Sequence, residues 1–446
     1  MIRKRLTYAG TVVATSALLV AGVASPVAFA AAKRAPAPVV ITYAAWGAPD
    51  VINAQIKQFE ATHPGIIVKW DQQVTWPWDA HLAAAAAAGK MPDVFWVFDG
   101  PDDVANGWMA NLNPYLKADK TWNPNNIFGN LAATGNYFGN QFMLPMHLYA
   151  EGIEINENLF KQDNVPLPKA NWTLKQFEQD AIKLTKPSIH QFGLSGIRNF
   201  REKMPVMYAP KQINGFLTWT GHGYDFTNPA WSKSVDLVNK LIFQLKVDLG
   251  LYNSAFQTKW YGKNANAFMI GKVAMNYGFS WDFPGYTKLP FKYNFLPLPR
   301  VVGQRIPLVT DYMAMSRTTK HAKAAFEFLR WMTYSKSGWT WRVTHEAAPS
   351  MPLIKDPTVW QDYLKLKFVP SGMKQLLPMI PNGFLDGYKW LPGYPTVLNT
   401  IVGPNYPKFE SGTEKPQDLA QNFQQRANQA YVQAEASIKA AIKSFY

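Results

Sequence analysis

Between residues 39 and 98, short apolar runs alternate with longer segments whose apolar residues recur every three or four positions. The runs are rich in β-branched and aromatic residues, which is typical of buried strands. In the first longer segment, Ile52, Ile56 and Phe59 share one helical face. Strands and helices that alternate with short links predict an α/β lobe with a largely parallel sheet. The predicted elements are strands at 39–45, 66–70 and 94–98 and helices at 51–62 and 79–89.

The same helical periodicity predicts four further helices later in the chain. Thr173 with Gln176 has the spacing of a capping box, which marks a helix start. Pro416 suits the first turn of the last helix, which carries an apolar stripe. These helices are predicted to begin near residues 173, 232, 322 and 416.

The N-terminal segment has the pattern of a secretory signal peptide. Residues 1–5 carry three positive charges, an apolar stretch follows, and Ala28-Phe29-Ala30 forms an A-x-A cleavage signal. We therefore predict a signal peptide at 1–30 and a flexible linker at 31–38. The alternative is an uncleaved anchor helix, because the apolar stretch is about long enough to span a bilayer.

The amino-acid composition excludes several classes of function for this protein. The 446 residues contain no cysteine, which excludes disulfide scaffolds, thiol catalysis and cysteine-ligated metal sites. Basic residues outnumber acidic ones by 45 to 30, but they are scattered, whereas a nucleic-acid site needs them clustered. Two explanations of the positive charge stay open: attraction to an anionic membrane or cell wall, and adaptation to an acidic exterior.

An ordered set of motifs resembles the extracellular solute-binding proteins of ABC importers, in particular the large sugar-binding family typified by the maltodextrin-binding protein. Each motif is loose by itself, but together they follow the family order over nearly all of the mature chain. The matching segments are F-E-A-T-H-P-G-I-I-V (59–68), P-D-V-F-W-V-F-D (92–99), M-A-N-L-N-P-Y-L (109–116), L-P-M-H-L-Y-A-E-G-I-E-I-N-E-N-L-F (144–160), W-T-L-K-Q-F (172–177), G-K-V-A-M-N (271–276), A-A-F-E-F-L-R-W-M-T (324–333) and A-A-P-S-M-P (347–352).

The resemblance implies a two-lobed α/β fold in which each lobe is a mainly parallel sheet flanked by helices. A multi-segment hinge would cross between the lobes near His147, Tyr312 and Lys355. The implied boundaries are 39–147 and 312–355 for the N-terminal lobe, and 148–311 and 356–446 for the C-terminal lobe.

The same resemblance implies a function. The protein is expected to capture a carbohydrate, such as an oligosaccharide, between its lobes and deliver it to the permease of an ABC transporter. It would be a monomer that uses no cofactor or metal, catalyses no reaction and binds no nucleic acid. Many relatives are held by a lipidated cysteine, which this chain lacks, so it is expected in the periplasm or at the outer face of the cell membrane.

A sugar site needs aromatic rings for the apolar faces of the sugar and carboxylates for its hydroxyls. Trp96, Asp99 and Trp281 match sugar contacts of the family, although the basic residue that often follows the aspartate is replaced by Gly100. The other candidates share a position near the expected cleft, with core packing, helix capping or a hinge bond as the alternative role of each. They are Asp50, Trp76, Trp78, Tyr149, Asp311, Trp390 and Tyr394.

Two rival functions remain open at this stage. One is a secreted glycoside hydrolase, for which Glu151 and Glu154 could form the carboxylate pair. The other is a binding protein for a different solute, such as a peptide or a polyol phosphate, although a phosphate ligand would favour an arginine cluster that the sequence does not show.

Overall fold

The computed structural model describes residues 37–446. The predicted signal peptide and most of the predicted linker lie outside the described residues. Within 37–446, no helix combines the length and the hydrophobicity that crossing a bilayer requires.

Strands and helices alternate along the first part of the described chain, and helices dominate its end. The strands are β1 (Val39–Ala44), β2 (Ile66–Trp70), β3 (Val94–Val97), β4 (Asn136–Tyr137), β5 (Asn140–Gln141), β6 (Met143–Asn156), β7 (Phe192–Ser195), β8 (Val273–Phe279), β9 (Tyr293–Leu296), β10 (Pro307–Met315) and β11 (Phe384–Leu385). The α-helices are α1 (Pro49–Thr62), α2 (Trp78–Ala87), α3 (Gly100–Ala105), α4 (Asn113–Ala118), α5 (Gly129–Ala132), α6 (Glu157–Gln162), α7 (Leu174–Leu184), α8 (Phe200–Tyr208), α9 (Pro229–Asn239), α10 (Ser254–Tyr261), α11 (Ala322–Thr333), α12 (Lys336–His345), α13 (Pro357–Leu364), α14 (Met373–Leu376), α15 (Tyr394–Thr396), α16 (Tyr406–Ser411) and α17 (Pro416–Phe445).

The main sheet has the strand order β2-β1-β3-β10-β6-β8-β7, with β11 beside β10 and β9 beside β6. β1 pairs in parallel with both β2 and β3, as the alternating pattern predicts. At the far end, β7 pairs in parallel with β8. Between these two ends, the long strands β6 and β10 pair antiparallel with each other. β6 also pairs antiparallel with β8, and β10 pairs antiparallel with β3. These two strands therefore join the two halves of the molecule.

The 14-residue strand β6 carries the chain from one hydrophobic core to the other. Leu148 and Ala150 belong to the first core, which surrounds β1 and β3. Ile153 and Ile155 belong to the second core, which surrounds β8 and α9. The predicted crossing at His147 lies on this strand, just before the change of core.

A β-bulge interrupts the pairing of β6 with β10. Asp311 faces His147 while Tyr312 faces Pro145, so Met146 is the extra residue on β6. The carbonyl of Met146 accepts a hydrogen bond of 2.9 Å from the guanidinium of Arg342, which is completely buried. Asp311 and His147, which form a hydrogen bond of 2.9 Å, are thus the last register pair before the bulge.

The lobe boundary predicted near Lys355 stays a prediction, and the packing favours a later position. Trp360 and Tyr363 on α13 belong to the first core. The chain reaches the second core only with Phe384 and Leu391. The third crossing therefore fits better around β11, because this strand lies beside β10 in the middle of the sheet.

The C-terminal helix α17 is 30 residues long and packs against both cores. Phe423, in its first half, belongs to the second core, whereas Ile438 belongs to the first. At its end, the phenolic hydroxyl of Tyr446 donates to the carbonyl of Met109. This helix is a second connection between the two halves, separate from the strands of the sheet.

Candidate ligand-binding site

Aromatic residues gather where the parallel strands β1 and β3 end. Trp46 follows β1, and Phe98 follows β3, so both lie at the carboxyl edge of the sheet. The ring of Trp46 lies 4.8 Å from those of Trp78 and Trp96, in nearly perpendicular orientation to each. Such edge-to-face contacts are favourable because the positive ring edge meets the negative ring face.

Trp76 covers this group of rings from the solvent side. Its ring centroid is 4.7 Å from that of Phe98 and 5.9 Å from that of Trp46, yet 54% of the residue is exposed. A cavity of about 290 Å³ lies beside it, with Trp46 and Trp70 among its lining residues. An exposed indole that is held by other rings offers a flat apolar surface to a ligand.

A second exposed tryptophan lies at the end of β8. Trp281 stacks on Phe279 with a centroid distance of 4.0 Å and an interplanar angle of 8°. Tyr149 on β6 meets Trp281 edge-on at 5.3 Å. Because Trp281 is 42% exposed, part of its ring surface remains available to a solute.

These two groups join into one continuous arrangement through the crossing strand. Trp96 contacts His147 at 5.1 Å, and His147 contacts Tyr149 at 5.8 Å between ring centroids. The resulting series of contacting rings is called the aromatic row below. It consists, in order, of Trp76, Trp46, Trp96, His147, Tyr149, Trp281 and Phe279.

A buried ion pair lies beside the centre of the aromatic row. Asp311 accepts a hydrogen bond of 2.9 Å from Nδ1 of His147 and pairs with the ammonium of Lys389. Burial alone would raise the pKa of Asp311, but Lys389 and His147 hold it well below its ordinary value. The Lys389 ammonium also lies 5.4 Å from the ring centroid of Trp46. Asp311 is therefore an ionised group whose two oxygens already have protein partners.

Asp99 is a carboxyl group at this edge whose pKa is raised toward neutral pH. It caps α3 by accepting a hydrogen bond of 3.3 Å from the backbone N–H of Asp102. Burial raises the pKa of Asp99 to about 7, and the Asp102 carboxylate adds to that effect. The nearby Asp103 is fully buried, and neither of its carboxyl oxygens has a hydrogen-bond partner within 37–446. Near neutral pH, Asp99 can thus either donate to or accept from a hydroxyl group.

The structure brings Trp76, Trp96, Tyr149 and Trp281 into one row and places Asp311 beside its centre. Trp96 contributes mainly as support, since it is only 5% exposed and its indole N–H donates to the hydroxyl of Tyr43. Whether these residues contact a ligand stays a prediction.

The burial of two predicted contacts argues against a direct role in binding. Trp78 is 1% exposed, and its indole N–H donates to the carbonyl of Trp96 at 3.0 Å. Tyr394 is completely buried in the second core. Trp78 begins α2 and Tyr394 begins α15, and both side chains pack inward. Their burial favours a structural role for both residues.

The remaining two candidates lie outside the aromatic row. Asp50 is exposed in the first turn of α1, where a negative charge stabilises the helix N-terminus. Trp390 is half-buried, packs against both cores and donates from its indole N–H to the carbonyl of Asp386 at 2.7 Å. Its position between the cores suits the rim of a cleft better than its centre.

Four residues of this region, Trp46, Phe98, Tyr388 and Lys389, are not among the predicted contacts. Trp46 and Phe98 could have been found, because Trp46 directly follows the strand predicted at 39–45 and Phe98 ends the strand predicted at 94–98, and the carboxyl ends of both strands lie at the expected cleft. Tyr388, which lies 5.4 Å from Phe98, and Lys389 come from a segment nearly 300 residues later. Only the folded chain brings them to this edge, so no local signal identifies them.

Glu151 and Glu154 do not form a glycosidase pair. They lie three positions apart on β6, so their side chains point to opposite faces of the sheet. Glu151 bonds to the hydroxyl of Tyr277, while Glu154 accepts from Asn276 at 2.7 Å and from Tyr286 at 2.9 Å. Burial raises the pKa of Glu151 to about 7 and that of Glu154 to about 8. Two carboxyls on opposite faces cannot flank one glycosidic bond.

Comparisons with known proteins agree with this architecture. A family model described as bacterial extracellular solute-binding protein matches residues 45–338. An ABC substrate-binding protein from Listeria monocytogenes, solved with cycloalternan, has a TM-score of 0.73 at 20% identity, with 88% of this chain and 98% of that chain covered. No curated protein sequence matches the chain.

Two further solved structures show the same fold. A sugar transporter protein from Rhizobium etli, in an open conformation, has a TM-score of 0.68 at 16% identity, with 90% of this chain and 99% of that chain covered. The maltose/maltodextrin-binding domain MalE from Bdellovibrio bacteriovorus, bound to maltotriose, has a TM-score of 0.62 at 16% identity, with 91% and 100% covered. The predicted two-lobed α/β fold of periplasmic binding proteins is thereby confirmed.

Proposed function

Since the chain belongs to the bacterial extracellular solute-binding protein family, we propose that it captures a carbohydrate, such as an oligosaccharide, and delivers it to the permease of an ABC importer. It works outside the cytoplasm and performs no chemical reaction. The sugars named for the related structures, among them cycloalternan and maltotriose, support the ligand class.

The observation that carries the proposal is the aromatic row with an exposed tryptophan in each half. Trp76 belongs to the half built on β1 and β3, and Trp281 to the half built on β8. Flat indole faces cover the C–H surfaces of pyranose rings, and Asp99 can bond to hydroxyls. One tryptophan could hold a monosaccharide, whereas two exposed rings on a continuous row suit a longer saccharide.

The mechanism we propose is closure of the two halves on the sugar. A ligand shifts an equilibrium between open and closed states only if it binds one of them more tightly. Only after closure would the sugar contact Trp76 and Asp99 on one half and Trp281 on the other half at the same time. The crossing strands β6 and β10 would then act as the hinge, and the closed form would be presented to the permease.

A thermal-shift screen tests the ligand class directly. A solute that binds only the folded protein stabilises it by RT ln(1 + [L]/Kd), which is about 2.7 kcal/mol at 100 times Kd. The screen should include mono- and oligosaccharides, a peptide mixture and polyol phosphates. We expect a shift with at least one saccharide, larger for oligosaccharides. A shift with a peptide or a polyol phosphate alone would contradict the carbohydrate proposal.

Variants locate the site. Replacing Trp76 or Trp281 by Ala should weaken the response to the saccharide, while Trp122→Ala should not. Trp122 is a suitable control because it is half-buried, packs against Tyr334 and lies outside the aromatic row. Incubation with the bound oligosaccharide should release no products, and release of shorter sugars would restore the hydrolase alternative.

A further inference from the structure

Helix α10 is attached to the second half of the molecule without burying any of its own residues completely. Phe256 on this helix is 50% exposed. The ring of Trp260 lies 5.9 Å from that of Phe256 and stacks on His190 at 4.3 Å. The helix is thus held by aromatic contacts on one side, while a phenylalanine projects into solvent.

The chain around α10 is basic and contains no acid. Residues 253–272 include three lysines and no aspartate or glutamate, and residues 287–292 include two more lysines and no acid. Phe268 and Phe291 join the two segments, with ring centroids 5.4 Å apart. The exposed part of this region is called the basic aromatic face. Its main residues are Phe256, Lys259, Lys263, Met269, Ile270 and Lys292.

The lysines of this face have no ionic partner within 37–446. None of Lys259, Lys263 and Lys292 forms a salt bridge there. Met269 and Ile270, which lie between Lys263 and Lys272 in the sequence, are also exposed. Exposed apolar side chains in basic segments whose lysines have no ionic partner favour an interaction surface.

We propose that the basic aromatic face docks on an anionic phospholipid bilayer. Lysine ammonium groups at such a surface are attracted to lipid phosphates, and each strengthens binding by about fivefold. Phenylalanine and aliphatic side chains can enter the headgroup region to a shallow depth. This combination fits a charged, deformable surface, which supplies both anions and apolar volume. The inference is independent of the sugar proposal, although it would keep the protein close to a membrane permease.

Co-sedimentation with lipid vesicles tests the proposal, using the full chain without its signal segment. Vesicles of phosphatidylcholine with 30% phosphatidylglycerol should bind the protein at low salt, and vesicles of pure phosphatidylcholine should not. The double variant K259E/K263E should bind at least about tenfold more weakly, and F256S should also weaken binding while the lysines remain. Raising the salt concentration should release the wild-type protein.

The matched control is K117E/K120E, which makes the same charge change at two exposed lysines of the other half. This variant should retain most of the binding. Equal loss in both double variants would mean that only net charge matters, and would overturn the proposal. Equal binding to neutral and anionic vesicles, or no binding to either, would also overturn it. A normal far-UV circular dichroism spectrum and an unchanged melting temperature exclude misfolding as the cause.

Discussion

Replacing Trp281 by Ala is the substitution that separates a ligand-binding ring from a structural one. Trp281 is 42% exposed and makes two ring contacts, with Phe279 and with Tyr149. Removing a fully buried tryptophan costs about 3–5 kcal/mol, so a ring that is just over half buried should cost roughly 2 kcal/mol of folding stability. The protein should therefore remain folded at 25 °C.

The loss in sugar affinity should exceed what this moderate destabilisation implies. Central aromatic residues of binding sites contribute about 2 kcal/mol or more, which corresponds to about a thirtyfold increase in Kd. Isothermal titration calorimetry with the best saccharide measures it. Trp281→Phe should recover part of the affinity, because a smaller ring still stacks on Phe279.

Trp96→Ala provides the contrast, since Trp96 is 5% exposed. It should lower stability by about 3–5 kcal/mol. If Trp281→Ala binds sugar within twofold of the wild-type protein, the aromatic row is not the site.

Three other predictions follow from the sequence and the folded chain. N-terminal sequencing of the native exported protein should find Ala31, and Met1 on mature protein in the membrane fraction would instead indicate an anchor. Burial raises the pKa values of Asp99 and Glu154 to about 7 and 8, above those of the unfolded chain, so the folded state holds extra protons between about pH 4 and 8. The free energy of unfolding should then fall as pH rises through this window, so the melting temperature should be higher at pH 5 than at pH 8. Glu154→Gln should reduce this difference in melting temperature. A higher melting temperature at pH 8 would contradict the raised pKa values. Deleting residues 438–446 removes the part of α17 that packs on the first core. The deletion should change sugar affinity through the hinge. An unchanged affinity would show that the contact of α17 with the first core does not influence closure.

The first lobe could be predicted from sequence because its pattern is local. The strands predicted at 39–45, 66–70 and 94–98 are found within one residue at each end, since short buried runs between turn signals determine them. The helix predicted from residue 232 begins three residues earlier, and it passes after Asn239 into a π-helical segment that periodicity cannot distinguish from an α-helix. The third crossing depends on long-range packing, and no local signal places it.

The site was only partly predictable for the same reason. Trp76 and Trp78 are two positions apart, before and at the start of α2, but the fold buries Trp78 and exposes Trp76. Sequence alone treats them alike, because their burial depends on rings such as Trp46 that come from a distant part of the chain. The pair of Asp311 with Lys389 joins residues 78 positions apart beside a β-bulge. Such contacts are properties of the tertiary structure.

Small-angle X-ray scattering with and without saturating saccharide tests the central claim most directly. If the sugar is captured between two halves that close around it, the radius of gyration should decrease on binding. Moving the population from 1:99 to 99:1 requires about 5.5 kcal/mol of preference for the closed form, which a few stacking and charge-assisted contacts can supply. Saccharide binding confirmed by calorimetry, together with an unchanged radius of gyration, would contradict capture by closure.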